Sequence, residues 1–236
     1  MNSTPTAPVW LRAIFVVLGL AAWFGTQAMI GAREDLPPGV MIGDQVHDWL
    51  AGPHRYMREN PYAADALLMV SSAIIDALGI FLLGLSIFGR TVRPFLGLLL
   101  VFAMRQICQW LCPLSPPPGM IWDYPSLGII GMPDRTMPSL LVTYSVATDM
   151  FFSGHTAMAV IGAIELARFG GRRWIGLGIL IAAFQIFAVL ALRAHYTMDV
   201  FTGAVVAMLA ALLAERWSPW CDEVLAHLRR SDEPPS

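Results

Sequence analysis

Apolar residues run in long blocks along this chain, separated by short polar breaks and two long polar stretches. The blocks cover residues 10–31, 62–88, 94–112, 145–169, 174–192 and 197–217. A helix needs about 20 apolar residues to cross the hydrocarbon core of a bilayer. Inside that core a lone segment satisfies its backbone groups only as a helix. The pattern therefore predicts an all-α, polytopic membrane protein, a six-transmembrane-helix bundle over residues 10–217. Residues 1–9 are polar and contain proline, and read as a disordered N-terminus. Residues 218–236 begin amphipathic and turn polar, and read as a tail.

The breaks are unequal. Residues 89–93 and 170–173 are tight basic turns, and residues 193–196 leave almost no loop between the fifth and sixth blocks. Residues 32–61 read as an extramembrane loop, partly a short surface helix. Residues 112–144 form a second long loop. Its Pro116, Pro117 and Pro118 lack the N–H that a helix interior requires, so they predict a stiff lid or wall. The first block reads as an uncleaved signal anchor, since no small-x-small cleavage site follows it.

Composition agrees with this frame. Charged residues are only 14% of the chain, against about 25% in soluble domains. A net charge of −2 gives no footprint for nucleic acid. All 15 basic residues are Arg, the bias of a GC-rich genome, which points to a bacterial inner (plasma) membrane. With six spans, nine Arg residues fall on the side of the termini and five on the other, with Arg105 inside the third block near the latter. Basic residues near span ends stay cytoplasmic, so the termini are expected in the cytoplasm. Both long loops, and the starts of the fourth and sixth blocks, then face the exoplasm or periplasm. Cys108, Cys112 and Cys221 read as ordinary buried cysteines, because two thiols without further ligands make a poor metal site.

Two polar stretches interrupt this apolar frame. His195 and Asp199 are four residues apart, so on a helix they share a face about 5–6 Å apart. Asp199 can then hydrogen-bond one ring nitrogen of His195, fixing the tautomer and leaving the other nitrogen as nucleophile or base. A structural His–Asp pair and a pair of metal ligands are the alternatives, and no HExxH or carboxylate cluster accompanies the second. Ser153-Gly154-His155-Thr156 supplies another histidine where a helix is expected to begin. The first amides of a helix lack partners and point toward an anion. Arg105 and Arg193 lie on the same side and can clamp phosphate oxygens. They can equally be a snorkelling side chain and a boundary charge. Asp76 sits within the second block, where a carboxylate marks a cavity or a site unless Ser71, Ser72 or a neighbouring helix satisfies it. Two histidines, an aspartate, two arginines and a helix N-terminus suit phosphoryl transfer without a metal or other cofactor.

The pattern Asp149-x3-Ser153-Gly154-His155-Thr156 followed by His195-Tyr196-Thr197-x-Asp199-Val200 resembles the two signature motifs of the sphingomyelin synthase branch of the phosphatidic acid phosphatase type 2 (PAP2) superfamily. Arg105 and the prolines after it resemble that branch's second motif, and Asp35-Leu36-Pro37-Pro38 with Asp44 and Asp48 resembles its first more faintly. Ala147-Thr148 stands where that branch has Cys-Gly. The general phosphatase pattern of the superfamily fits less well: it needs a lysine, and it has proline where this chain has Phe152. The resemblance implies a membrane lipid phosphotransferase. His195, oriented by Asp199, would attack phosphorus and form a phosphohistidine. His155 would serve as acid and then base, and Arg105 and Arg193 would bind the phosphate. Asp149, Ser153, Thr156 and Tyr196 would support them. The partners implied are a phospholipid donor and a lipid-alcohol acceptor, ceramide-like or diacylglycerol. A lipid phosphatase or phospholipase C-like hydrolase is the alternative, with water as acceptor. A proton-coupled transporter using Asp76, His155 and Asp199 is a third reading, but the chain has no internal repeat and both histidines sit at span ends.

Overall fold

The computed structural model of the chain describes residues 42–112, 114–121, 129–132, 135–138 and 150–231. The first apolar block, Asp35 to Pro38, Trp122 and Asp149 lie outside the described residues. Two short helices come first, α1 (Gln45–Trp49) and α2 (Ala51–Glu59). Three long helices and the shorter α5 follow as α3 (Pro61–Phe88), α4 (Arg93–Leu111), α5 (Gly154–Gly170) and α6 (Arg172–Ala191). The last is α7 (Thr197–Ser231). Residues from Asp44 onward group as one compact unit. Inside the second long loop, β1 (Ile129–Met132) pairs antiparallel with β2 (Arg135–Pro138), Ile129 opposite Pro138.

Local chemistry sets the helix ends. Pro61 opens α3 and Pro94 lies in the first turn of α4, where a missing N–H costs nothing. Gly171, at φ 69°, closes α5 and turns the chain straight into α6. Among the described residues, three helices are long and apolar enough to cross a membrane: α3, α6 and residues Thr197–Val224 of α7. The other two described blocks give α4, with 19 residues, and α5, with 17. The fourth block begins at residue 145, yet its helix begins only at Gly154, because Phe152 is left-handed at φ 75° and Ser153 caps the helix. The last helix runs past the apolar block to Ser231, with Pro219 inside it.

The bundle packs Leu68, Ile75 and Leu82 of α3 against Leu98 and Val101 of α4, Met158 and Ile161 of α5, and Ala207, Ala210 and Ala211 of α7. The spacing of seven on α3 is one helical stripe, and the small residues on α7 let backbones approach closely. Outward faces carry Val70, Ile80, Ile179, Leu180, Phe201, Val205 and Leu212. Exposed Tyr56 and Tyr62 lie at one end of the bundle and Phe88, Trp217 and Trp220 at the other, as aromatics do at the two membrane interfaces. At the second end Arg93 grips buried Glu165 with two bonds (3.2 and 2.9 Å), and Arg168 joins Glu165 (2.7 Å) to Glu215. That network ties α4, α5 and α7 together at the end far from the histidines.

The three cysteines are free, and the expected burial does not hold: Cys112 is exposed, and Cys108 and Cys221 are half-buried. Cys112 only caps α4, beyond its packed turns.

Candidate active site

A second group of polar residues gathers at the start of α5, the end of α6 and the start of α7. Ser153 caps α5 by accepting the Thr156 N–H (3.3 Å) and the Thr156 hydroxyl (3.0 Å). Both side chains are therefore committed to the helix start. His155 follows in the first turn and lies within electrostatic reach of His195 and Arg105. Arg105, two turns before the end of α4, donates from Nε to the Phe152 carbonyl (3.3 Å). A Cβ at Gly154 would lie 3.2 Å from that same Nε, so the guanidinium rests against the N-terminus of α5. The structure thus brings Arg105 and His155 together at a helix start.

Strain marks both histidine stretches. Phe152 is fully buried at φ 75°, a conformation closed to proline, whose ring holds φ near −65°. That explains physically why proline is absent before Ser153. The end of α6 is a Schellman closure: Ala194 N–H bonds to Val189 C=O (2.8 Å) and Arg193 N–H to Leu190 C=O (3.1 Å). Its left-handed position, usually glycine, holds Arg193 at φ 52°. Non-glycine residues there cost about 1–2 kcal/mol, and such strain persists where function requires the side chain. Arg193 sends Nη1 to the Pro118 carbonyl (2.9 Å), while its buried Nε has no partner among the described residues. We expect Arg193→Gly to melt at a higher temperature than Arg193→Ala, by about 1 kcal/mol of stability. Equal melting temperatures would show that the backbone there is not strained.

His195 is buried, 7% exposed. Its Nδ1 lies 2.9 Å from the Met150 carbonyl. A carbonyl only accepts, so Nδ1 carries the hydrogen, and in the neutral ring Nε2 carries the lone pair. Asp199 Oδ2 is 3.6 Å from Nδ1, an ion-pair separation but not a hydrogen bond. This corrects the expectation that Asp199 sets the tautomer. Its Oδ2 instead accepts the Tyr196 N–H (2.9 Å), closing the start of α7, and its buried Oδ1 has no partner among the described residues. The two stretches are stitched directly, since Ser153 N–H donates to the Asp199 carbonyl (3.0 Å). Tyr196 is buried, its hydroxyl pushed upward in pKa by burial and by Asp199 and Asp44. Asp76 lies elsewhere, roughly 22 Å along α3 from Pro61 at 1.5 Å per residue. Ser71, one suggested partner for it, instead bonds Gln185 (2.6 Å).

The described part of the proline-rich stretch, residues 114–121, lies against the end of α6. Ile121 N–H bonds to the Leu192 carbonyl (3.0 Å) and Met150 N–H to the Leu114 carbonyl (3.4 Å). Gly119 sits where a Cβ would come 3.5 Å from both Arg193 Nη1 and His54 Nε2. It also lines a cavity of about 380 Å³ with Arg58, Asp65 and Met120. An apolar groove of about 490 Å³ runs along α5, α6 and α7, lined by Val160, Ala163, Ala167, Ile179, Ala183 and Met208. Its upper residue, Val160, lies five positions beyond His155.

The polar residues least legible in the sequence belong to α1 and α2. Asp44 caps α1 and also accepts the Thr197 N–H (2.6 Å) and hydroxyl (2.7 Å). Burial pushes its carboxyl up, but the two Thr197 bonds and nearby His47 outweigh this and hold it below the usual carboxylate value. His47 Nε2 donates to the His195 carbonyl (2.9 Å) and His54 Nδ1 to the Ala191 carbonyl (2.9 Å). Burial, with Arg193 and Arg58 nearby, pushes the His54 pKa down. The spacing of seven between these histidines, in a segment otherwise read as loop, was the available signal. Among the described residues no three His, Cys, Asp or Glu side chains converge as a metal ligand set.

Residues 147–216 match the family described as PAP2 superfamily C-terminal. That stretch holds His155, Arg193, His195 and Asp199. Comparison with curated proteins and with solved structures returned no match.

Proposed function

We propose that this chain is a six-span membrane lipid phosphotransferase of the sphingomyelin synthase-like branch, moving a phosphorylated head group from a phospholipid to a lipid hydroxyl. The observation that carries this reading is the His195 ring, whose Nδ1 is held at 2.9 Å by the Met150 carbonyl, which leaves Nε2 as the lone-pair nitrogen of the neutral ring, within the stretch that matches the PAP2 superfamily C-terminal family. Nε2 attacks phosphorus, and the bond from phosphorus to the diacylglycerol oxygen breaks. His155, which takes up a proton as the anionic phosphate group binds beside it, delivers that proton to the oxygen. The ring of His195 becomes a cationic phosphoimidazole, and Asp199, 3.6 Å away, stabilises that charge. An acceptor hydroxyl then attacks phosphorus, gives its proton to His155, and releases His195. Arg105 and the first amides of α5 offset charge on the phosphate oxygens. Arg193 adds its Nε. The apolar groove below His155 accommodates an acyl chain.

The test is a product assay on the purified chain in detergent, with labelled ceramide, labelled diacylglycerol and mixed phospholipids. Label in a new phospholipid is expected. Free phosphorylated head group alone would make the enzyme a hydrolase that uses water. The orientation, with cytoplasmic termini and an exoplasmic site, predicts that a cysteine replacing exposed Arg55 in an otherwise cysteine-free chain reacts with an impermeant thiol reagent in intact cells. Reaction only after lysis would reverse the orientation.

A further inference from the structure

Five residues, 192–196, join α6 to α7 and carry His195, with Ala191 and Thr197 at their two ends. Few of their backbone groups bond to each other. Three side chains from residues 44–54 bond to this linker instead: Asp44 at Thr197, His47 at the His195 carbonyl, and His54 at the Ala191 carbonyl. All three are withdrawn from water, with His47 6% and His54 5% exposed and the Asp44 side chain 7% exposed. Burying polar groups costs free energy unless they are bonded. Here the bonds all fall on one linker, at its beginning, middle and end. His47 also stacks on Tyr196, ring centroids 5.9 Å apart and 28° from parallel.

We propose that residues 44–54 are a clamp that fixes the place and tautomer of His195, with Asp44, His47 and His54 as positioning residues. The clamp acts through the backbone. Holding the His195 carbonyl from one side and Thr197 from the other sets the direction of the His195 side chain, so that Nδ1–H meets the Met150 carbonyl. Loosening it lets the ring swing, and the lone pair is no longer confined to Nε2. A misplacement of about 1 Å can cost roughly 100-fold in rate. The effect on turnover rests on the reading of His195 as nucleophile, whereas the effect on the ring does not.

The experiment labels the histidines of the full-length chain with ¹⁵N and records their nitrogen shifts in detergent, with the His195 signal identified by its loss in His195→Gln. Wild type is expected to show one tautomer, Nδ1–H, for the neutral ring. His47→Phe keeps an aromatic ring against Tyr196 but removes the donor. It should give a mixture of tautomers and about tenfold lower kcat at unchanged KM. His47→Gln places an amide nitrogen near the lost Nε2 and should restore both. A folded His47→Phe with the wild-type His195 signal overturns the clamp. If that variant does not fold, Thr197→Val, which removes one of the two Asp44 bonds, takes its place: a partial mixture supports the clamp and a wild-type signal overturns it. Should His195→Gln turn over lipid normally, the proposed reaction fails while the tautomer comparison still decides the clamp. Should His195→Gln be inactive and His47→Phe match wild type in both readouts, the clamp fails and the reaction stands.

Discussion

His195→Gln is expected to leave less than about a thousandth of wild-type lipid turnover and no base-stable phosphoenzyme. Glutamine puts an amide near the Nε2 position but offers no lone pair nucleophilic enough to attack phosphorus. Asp199→Asn should lose much less, about 10- to 100-fold. In triads where an aspartate alone orients the histidine, the asparagine variant fails because the wrong tautomer forms. In this chain the Met150 carbonyl fixes the tautomer at 2.9 Å, and asparagine can still accept the Tyr196 N–H. What Asp199→Asn removes is a charge 3.6 Å from the ring, needed only as the phosphoimidazole forms. Trapping of labelled protein after an alkaline quench, beside steady-state rates, separates the two variants. If Asp199→Asn were as inactive as His195→Gln, the aspartate would be the true orienter and the Met150 bond incidental.

Much of this arrangement was legible in the residues, and the gaps have physical causes. Apolar block length located α3, α6 and α7, because length and apolarity are what a bilayer selects. It misplaced the start of α5, since Phe152 is apolar yet left-handed, and hydropathy does not register a backbone kink at φ 75°. The i, i+4 spacing placed Asp199 beside His195 correctly but not as its hydrogen-bond partner. A main-chain carbonyl 45 residues earlier in the chain took that role, and backbone acceptors leave no mark on the side-chain pattern. His47 and His54 were hidden for a related reason, since they bond to carbonyls of the linker and not to side chains. Arg105 was expected on the side of the histidines from its place near a span end, and it lies against the start of α5. Arg193 was half legible: its charge was apparent, but the left-handed turn that aims it toward Pro118 is set by the packing of α6 and not by the residue type.

Gly203 carries the second large expected effect. It lies on α7, one helical turn past Asp199, where the two histidine stretches cross. A Cβ there would stand 2.6 Å from the Ser153 carbonyl oxygen and 3.5 Å from the Thr156 Cβ. The first of these atoms is backbone at the cap of α5, so no rotamer change relieves it. The helices must part, and with them His155 and His195. Gly203→Ala should cost about 1–3 kcal/mol of stability, the range for overpacking a close contact. Its rate should fall about 100-fold even in the fraction that folds, because the histidines would be displaced by a good part of an ångström. Gly176→Ala is the matched control: it too lies within a long helix, but nothing stands within 4 Å of its Cβ. There alanine should stabilise by up to about 1 kcal/mol through helix propensity and leave turnover unchanged. Thermal unfolding in detergent and the lipid product assay measure both variants. Equal behaviour of the two would mean that the crossing of α7 over Ser153 is loose enough to absorb a methyl group, and that the spacing of the histidines is set elsewhere in the bundle.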